Sequence, residues 1–163
     1  MSSRQRLQAI GSPIKTRLKG STSYYVKEFQ SHDEALFPKD ILKRKAFFEI
    51  YTKGLLIHTF YVSDAIAIPI PFEEIKSIHL IRGEEQIAPI PFSLMWILLK
   101  FKVRVQIARY FRLRYSEYYI AETELKIETS SFSALLTSGG YTFEGQEKFF
   151  NKIKSSVNLT ITK

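Results

Sequence analysis

Residues 46–57 read Ala46-Phe47-Phe48-Glu49-Ile50-Tyr51-Thr52-Lys53-Gly54-Leu55-Leu56-Ile57. Aromatic and β-branched residues stand on both sides of a Lys53-Gly54 break. That composition favours a pleated strand over a helix. The stretch therefore reads as strand, turn, strand, with Gly54 accepting a positive φ at the turn.

Toward the C-terminus the same grammar continues. Leu55 to Val62 completes the second strand, and Ser63-Asp64 marks a turn. Ala65 to Ile70 is a third strand, closed by Pro71. Phe72 to Ile75 predicts a single helical turn, and Lys76 to Ile81 a fourth short strand before Arg82-Gly83-Glu84-Glu85. Toward the N-terminus, Ser31-His32-Asp33-Glu34 fits a capping box, with Pro38 limiting the helix that follows. Residues 1–23 carry Gly11, Pro13 and Gly20 and no sustained period, so they read as a basic, flexible tail. Residues 24–163 read as a single domain with an apolar insertion near 84–99.

Past the stiff connector Ala88-Pro89-Ile90-Pro91, apolar and basic residues alternate. Leu99, Phe101, Val103, Val105 and Ile107 share one parity; Lys100, Lys102, Arg104 and Gln106 share the other. Period two predicts a strand with one buried face. Phe111, Leu113 and Tyr115 alternate with Arg112 and Arg114 in the next stretch. Ala121, Thr123, Leu125 and Ile127 alternate with Glu122, Glu124, Lys126 and Glu128 in a third. After Gly139-Gly140, the residues Phe143, Phe149, Phe150, Ile153 and Val157 form one helical stripe, so 143–157 reads as an amphipathic helix capped by Thr142.

Several antiparallel strands closed by one amphipathic helix resemble the bacterial pleckstrin-homology-like domains. The hairpin Phe48 to Ile57 looks like their first hairpin. Ile68-Pro69-Ile70-Pro71-Phe72-Glu73-Glu74-Ile75-Lys76-Ser77-Ile78 is similar to their Ile-Pro-aromatic stretch. Tyr141-Thr142-Phe143 with Phe149 to Ile153 resembles their closing helix. The resemblance implies an α+β fold: a bent antiparallel sheet or split barrel capped by a C-terminal helix. It also implies binding of phospholipid headgroups or peptides, and no reaction.

Charge distribution narrows the function classes. The chain carries a net charge of +8, yet residues 1–20 and 86–116 each hold several Lys and Arg and no acid. A concentrated basic excess attracts anionic membrane, nucleic acid or acidic protein. The absence of cysteine excludes disulfides, thiolate metal sites and a Cys nucleophile. His32, His58 and His79 lack zinc spacing, and no phosphate-binding loop or nucleophile elbow occurs. No catalytic residue, metal ligand or cofactor is therefore assigned.

The candidate anion or headgroup ligands are Lys100, Lys102, Arg104, Arg112 and Arg114. Trp96, Leu94 and Met95 are the candidate membrane or interface contacts, because an apolar segment beside cations suits an anionic bilayer. Two readings of the basic stripe stay open: neutralisation by Glu122, Glu124 and Glu128 across the sheet, or an exposed ligand surface. The expected function is a non-catalytic binding or adaptor domain, engaging anionic lipid or a protein partner from a cytoplasmic, membrane-peripheral position. The alternatives are a nucleic-acid-binding module, or an oligomerising protein using residues 86–99. The longest apolar run is too short to span a bilayer.

Overall fold

The alternation at 46–57 is realised as a hairpin within a large sheet. In chain order the strands are β1 (Tyr24–Ser31), β2 (Lys45–Tyr51), β3 (Gly54–Tyr61), β4 (Asp64–Pro71), β5 (Ile75–Ile81), β6 (Glu85–Ile87), β7 (Tyr118–Ile120), β8 (Thr123–Thr129), β9 (Phe132–Ser138) and β10 (Leu159–Thr162). The helices are α1 (Leu94–Lys100), α2 (Val105–Ala108) and α3 (Phe143–Phe150). This is a computed structural model that describes residues 7–14, 21–31, 40–61 and 64–163. The capping box proposed at Ser31 to Glu34 falls largely outside the described residues; Ser31 itself ends β1.

Eight strands form one open sheet in the order β10-β5-β8-β9-β1-β2-β3-β4. Neighbours are antiparallel except β10, which runs parallel to β5. The fold is thus α+β, with a mixed sheet and short helices and no closed barrel. β1 joins the two halves of the sheet. Tyr24 and Tyr25 pair with β2, whereas Tyr25 to Ser31 pair with β9, with a register shift between Val26 and Glu28. An extra residue at such a point bends a strand.

The core lies between the sheet and α3. Phe48 meets Tyr24 and Phe150 edge-on, with ring centroids 5.4 and 5.9 Å apart. Leu55, Ile70, Ile78, Leu80, Leu125 and Phe150 are all fully buried around them. α3 sits at the end of β9 through polar contacts as well. Buried Gln146 donates from Nε2 to Thr142 Oγ1 at 2.6 Å and to Ser138 Oγ. The predicted helix is shorter than 143–157: it continues as a 3-10 turn over Asn151–Ile153 and then turns toward β10.

At the hairpin, Gly54 does not supply the positive φ expected of it. Glycine is required there by close approach. A Cβ would lie 2.4 Å from the Ile70 carbonyl oxygen and 2.5 Å from Ile10 Cγ2. Ile10 is fully buried, and its carbonyl accepts from Lys53 N at 2.9 Å. Residues 7–14 therefore pack on the sheet, unlike the flexible tail expected for them. On the far edge, β4 carries Pro69 and Pro71, which can sit in the ladder only with their nitrogens facing away from β3.

Two predicted strands are absent. The stretch 99–107 is the end of α1, a turn and α2; 111–115 is irregular, leading into a 3-10 turn at Tyr115–Glu117. The cause of the first lies at Lys102. Its φ is +61°, its N–H bonds Leu99 O and the Val103 N–H bonds Leu98 O, both at 3.0 Å. That pair of bonds is a Schellman cap, a helix end usually built on glycine. The basic strand surface expected from the parity of 100–114 therefore does not exist as a strand. The third alternating segment is realised, as β8.

Candidate anion-binding site

Residues 82–122 form an excursion between β5 and β8, which are direct neighbours in the sheet. Its ends are held together at a neck. Ala121 N donates to Glu84 O at 2.9 Å, and a Cβ on Gly83 would come within 2.1 Å of the Ala121 carbonyl oxygen. Beyond the neck, β6 and β7 pair as a two-stranded ribbon. A small separate core of Met95, Ala108 and Tyr118, backed by Leu98, Leu99, Val105 and Ile120, supports α1 and α2.

One carboxylate organises the excursion. Glu117 is fully buried and accepts four hydrogen bonds. Its Oε1 takes Ser93 Oγ at 2.5 Å and Ile90 N at 3.0 Å; its Oε2 takes Arg114 N at 3.1 Å and Leu113 N. Burial alone would raise its pKa. The bonds from Ser93, Ile90, Arg114 and Leu113 outweigh burial and hold it at about 2, because each favours the charged form. Ser93 links this anion to α1: its Oγ also accepts from Trp96 N at 3.1 Å as the N-cap.

The fixed loop presents arginines. Arg109, Arg112 and Arg114 line a cavity of about 450 Å³ with Tyr110, Leu113, Tyr115 and Tyr141. Arg109 donates to Tyr118 Oη at 3.2 Å and to Tyr110 Oη at 3.5 Å. Its hydrogen bonds to Tyr110 and Tyr118 raise its already high pKa further. Arg112 donates to Tyr118 O at 3.2 Å and to Tyr141 Oη at 3.3 Å. Its guanidinium also lies 4.6 Å from the Tyr115 ring centre. Tyr118 Oη in turn donates to Glu85 Oε1 at 2.5 Å, so it is spent on holding Arg109 in place. Among the described residues, no carboxylate lines the cavity.

The expected ligands are only partly gathered. Arg112 and Arg114 enter the cavity. Lys100, Lys102 and Arg104 lie on the same excursion, exposed, around the end of α1 and the start of α2. Neutralisation across the sheet is overturned. Glu122 pairs with Lys27 at 3.4 Å, Glu124 lies 3.8 Å from Lys126, and Glu128 accepts from Ser77 Oγ at 3.3 Å. Among the described residues, no carboxylate pairs with Lys100, Lys102, Arg104, Arg109, Arg112 or Arg114.

Of the expected apolar contacts, Leu94 is exposed and Trp96 is half-buried, lying beside Phe92 and under Lys100. Met95 is fully buried in the small core, so it is not a contact residue. Instead Phe92, Phe101, Tyr110, Leu113 and Tyr115 project furthest; Phe92 and Tyr115 are 82% and 81% exposed.

Arg109, Tyr110, Tyr115 and Tyr141 were missed as site residues. Arg109 and Tyr110 do break the apolar-basic alternation, which was the available signal; Tyr115 follows it. Tyr141 arrives from the start of the last helix and leaves none. His58 and His79 lie on β3 and β5, separated in the sheet by four strands. His58 contacts Glu49 Oε2 at 3.1 Å. Among the described residues, no three His, Asp or Glu cluster as a metal site. No helix among them is long and apolar enough to cross a membrane. No protein-family model, curated protein or solved structure matches the chain to a significant degree.

Proposed function

We propose that this protein is a non-catalytic binding module of pleckstrin-homology-like architecture that attaches to anionic membrane surfaces through residues 86–116. The strand order supports the architectural reading. β4-β3-β2-β1 continues as β9-β8-β5, with a helix directly after β9. The membrane reading rests on one observation. Residues 86–116 carry six cations that pair with no carboxylate among the described residues, together with large apolar side chains left in solvent.

Each half of that combination has a physical use at a bilayer. Apolar side chains such as Phe92, Phe101 and Leu113 gain from entering the headgroup boundary. Cations near an anionic leaflet contribute about 1 kcal/mol each. Backbone strain is concentrated in the same place. Phe92 and Lys102 are the non-glycine residues with positive φ among the described residues. Such strain costs about 1–3 kcal/mol per residue and gathers where function needs a particular shape.

Vesicle co-sedimentation tests this. Phosphatidylcholine vesicles doped with phosphatidylglycerol should retain the protein, and pure phosphatidylcholine should not. Lys100→Glu with Lys102→Glu should weaken retention at least about tenfold. Equal recovery on both vesicles would overturn the proposal. So would salt-sensitive retention on RNA or DNA with none on vesicles, which would point to the nucleic-acid alternative.

A further inference from the structure

The geometry points to a second, more selective property: the cavity bounded by Arg109, Arg112, Arg114, Tyr110, Tyr115 and Tyr141 is a site for a phosphomonoester dianion. This goes beyond attachment to anionic surfaces and stands or falls separately from it.

Three arginines line the cavity, and among the described residues no carboxylate does. Arginine presents a planar fork of donors suited to phosphate oxygens. Two of the three are already oriented, Arg109 by Tyr110 and Tyr118, Arg112 by Tyr141 and the Tyr118 carbonyl. Their side-chain entropy is therefore partly lost before any ligand arrives. The phenols supply a second kind of donor. Tyr110 Oη and Tyr141 Oη each accept from a guanidinium, so each keeps its own proton to donate. An anion with several oxygens and two charges satisfies this set; a phosphodiester has fewer free oxygens and a single charge.

The size agrees with an organic ester. A cavity of about 450 Å³ falls within the roughly 300–1,000 Å³ of small-molecule pockets. Leu113 and the Tyr115 ring give the carbon portion an apolar wall. The position is also fixed from beneath. Glu117 holds the amides of Leu113 and Arg114, and so sets the path of the loop between Arg112 and Tyr115. Glu117 is a positioning residue here, since it does not line the cavity.

Two sources could present such a group: a soluble phosphate ester or a lipid headgroup. Calorimetric titration of the intact protein with glycerol 3-phosphate addresses the first, with glycerophosphocholine as the diester control. Vesicles containing phosphatidic acid, compared with phosphatidylglycerol at matched surface charge, address the second. The monoester should bind, and the diester should not. Affinity should rise as pH passes upward through about 6, where the second phosphate proton leaves. Arg112→Lys and Tyr141→Phe should each weaken glycerol 3-phosphate at least about fivefold, since each removes charge-assisted contacts. Unchanged fluorescence of the single tryptophan, Trp96, would show both variants intact.

A preference for phosphatidic acid, in addition, identifies the lipid source; soluble binding without it identifies a soluble ester. Both uphold the site. Absence of glycerol 3-phosphate binding, equal binding of the diester, or unaltered affinity in both variants would overturn it. Retention on vesicles by charge alone would then leave the membrane proposal standing.

Discussion

Lys126 and Lys102 are both exposed lysines in alternating sequence, and the protein treats them differently. Lys126 lies on β8 with Glu124 beside it at 3.8 Å. Lys102 stands on the excursion at positive φ and forms no ion pair among the described residues. The same contrast holds for the two regions at large. On the sheet, Lys126 has a carboxylate on its own strand, and Lys27 on β1 meets Glu122 just before β8. On the excursion, the buried acid Glu117 is consumed by backbone and Ser93 donors, and the cations around it are left to other partners. Charge that the fold does not use is the better guide to function.

Two separate cores underlie this division. The harshest test removes the larger one. Phe48→Ala should cost about 4 kcal/mol and abolish far-ultraviolet circular dichroism and Trp96 fluorescence in one transition. A smaller effect should follow from Glu117→Leu, which strips acceptors from four donors. It should cost the excursion about 3 kcal/mol. The Trp96 signal should change while the sheet's circular dichroism persists. Simultaneous loss of both signals would show one cooperative unit and break the comparison.

The gentlest test is acid. The folded pKa of Glu117 is depressed, from an ordinary 4.5 to about 2. Its contribution is complete above pH 4.5 and is lost as pH falls toward 2. Trp96 fluorescence should therefore shift within that window in the native protein. In Glu117→Gln, which has no charge to lose, this component should be missing. A shift of equal size in both proteins would remove Glu117 as its origin.

How legible each region was follows from the same physics. β2, β5 and β8 alternate because each has one face on the core, whereas β3 and β4 carry unbroken buried runs at Leu55 to Ile57 and Ile68 to Pro71. β1 begins that way, but the shift between Val26 and Glu28 changes its parity and hides it. β9 is buried or half-buried on both faces, so Phe132 to Ser138 shows no period to read. On the excursion, alternation from Leu99 to Ile107 misled because a helix end normally announced by glycine is built on Lys102. The basic character of the site was legible; its cavity was not. Sequence spacing reports neighbours along the chain, and Tyr141 reaches Arg112 only through the fold.

Pro69 and Pro71 carry a last consequence. Both nitrogens point to the open side of β4, where an incoming strand would seek N–H donors and find alternate ones missing. The opposite border is the four-residue strand β10, too short to template a long pairing. Copies of this protein thus have poor means of growing into a continuous ribbon by backbone pairing. Even crowded together on a lipid film, they should remain discrete particles rather than fibrils.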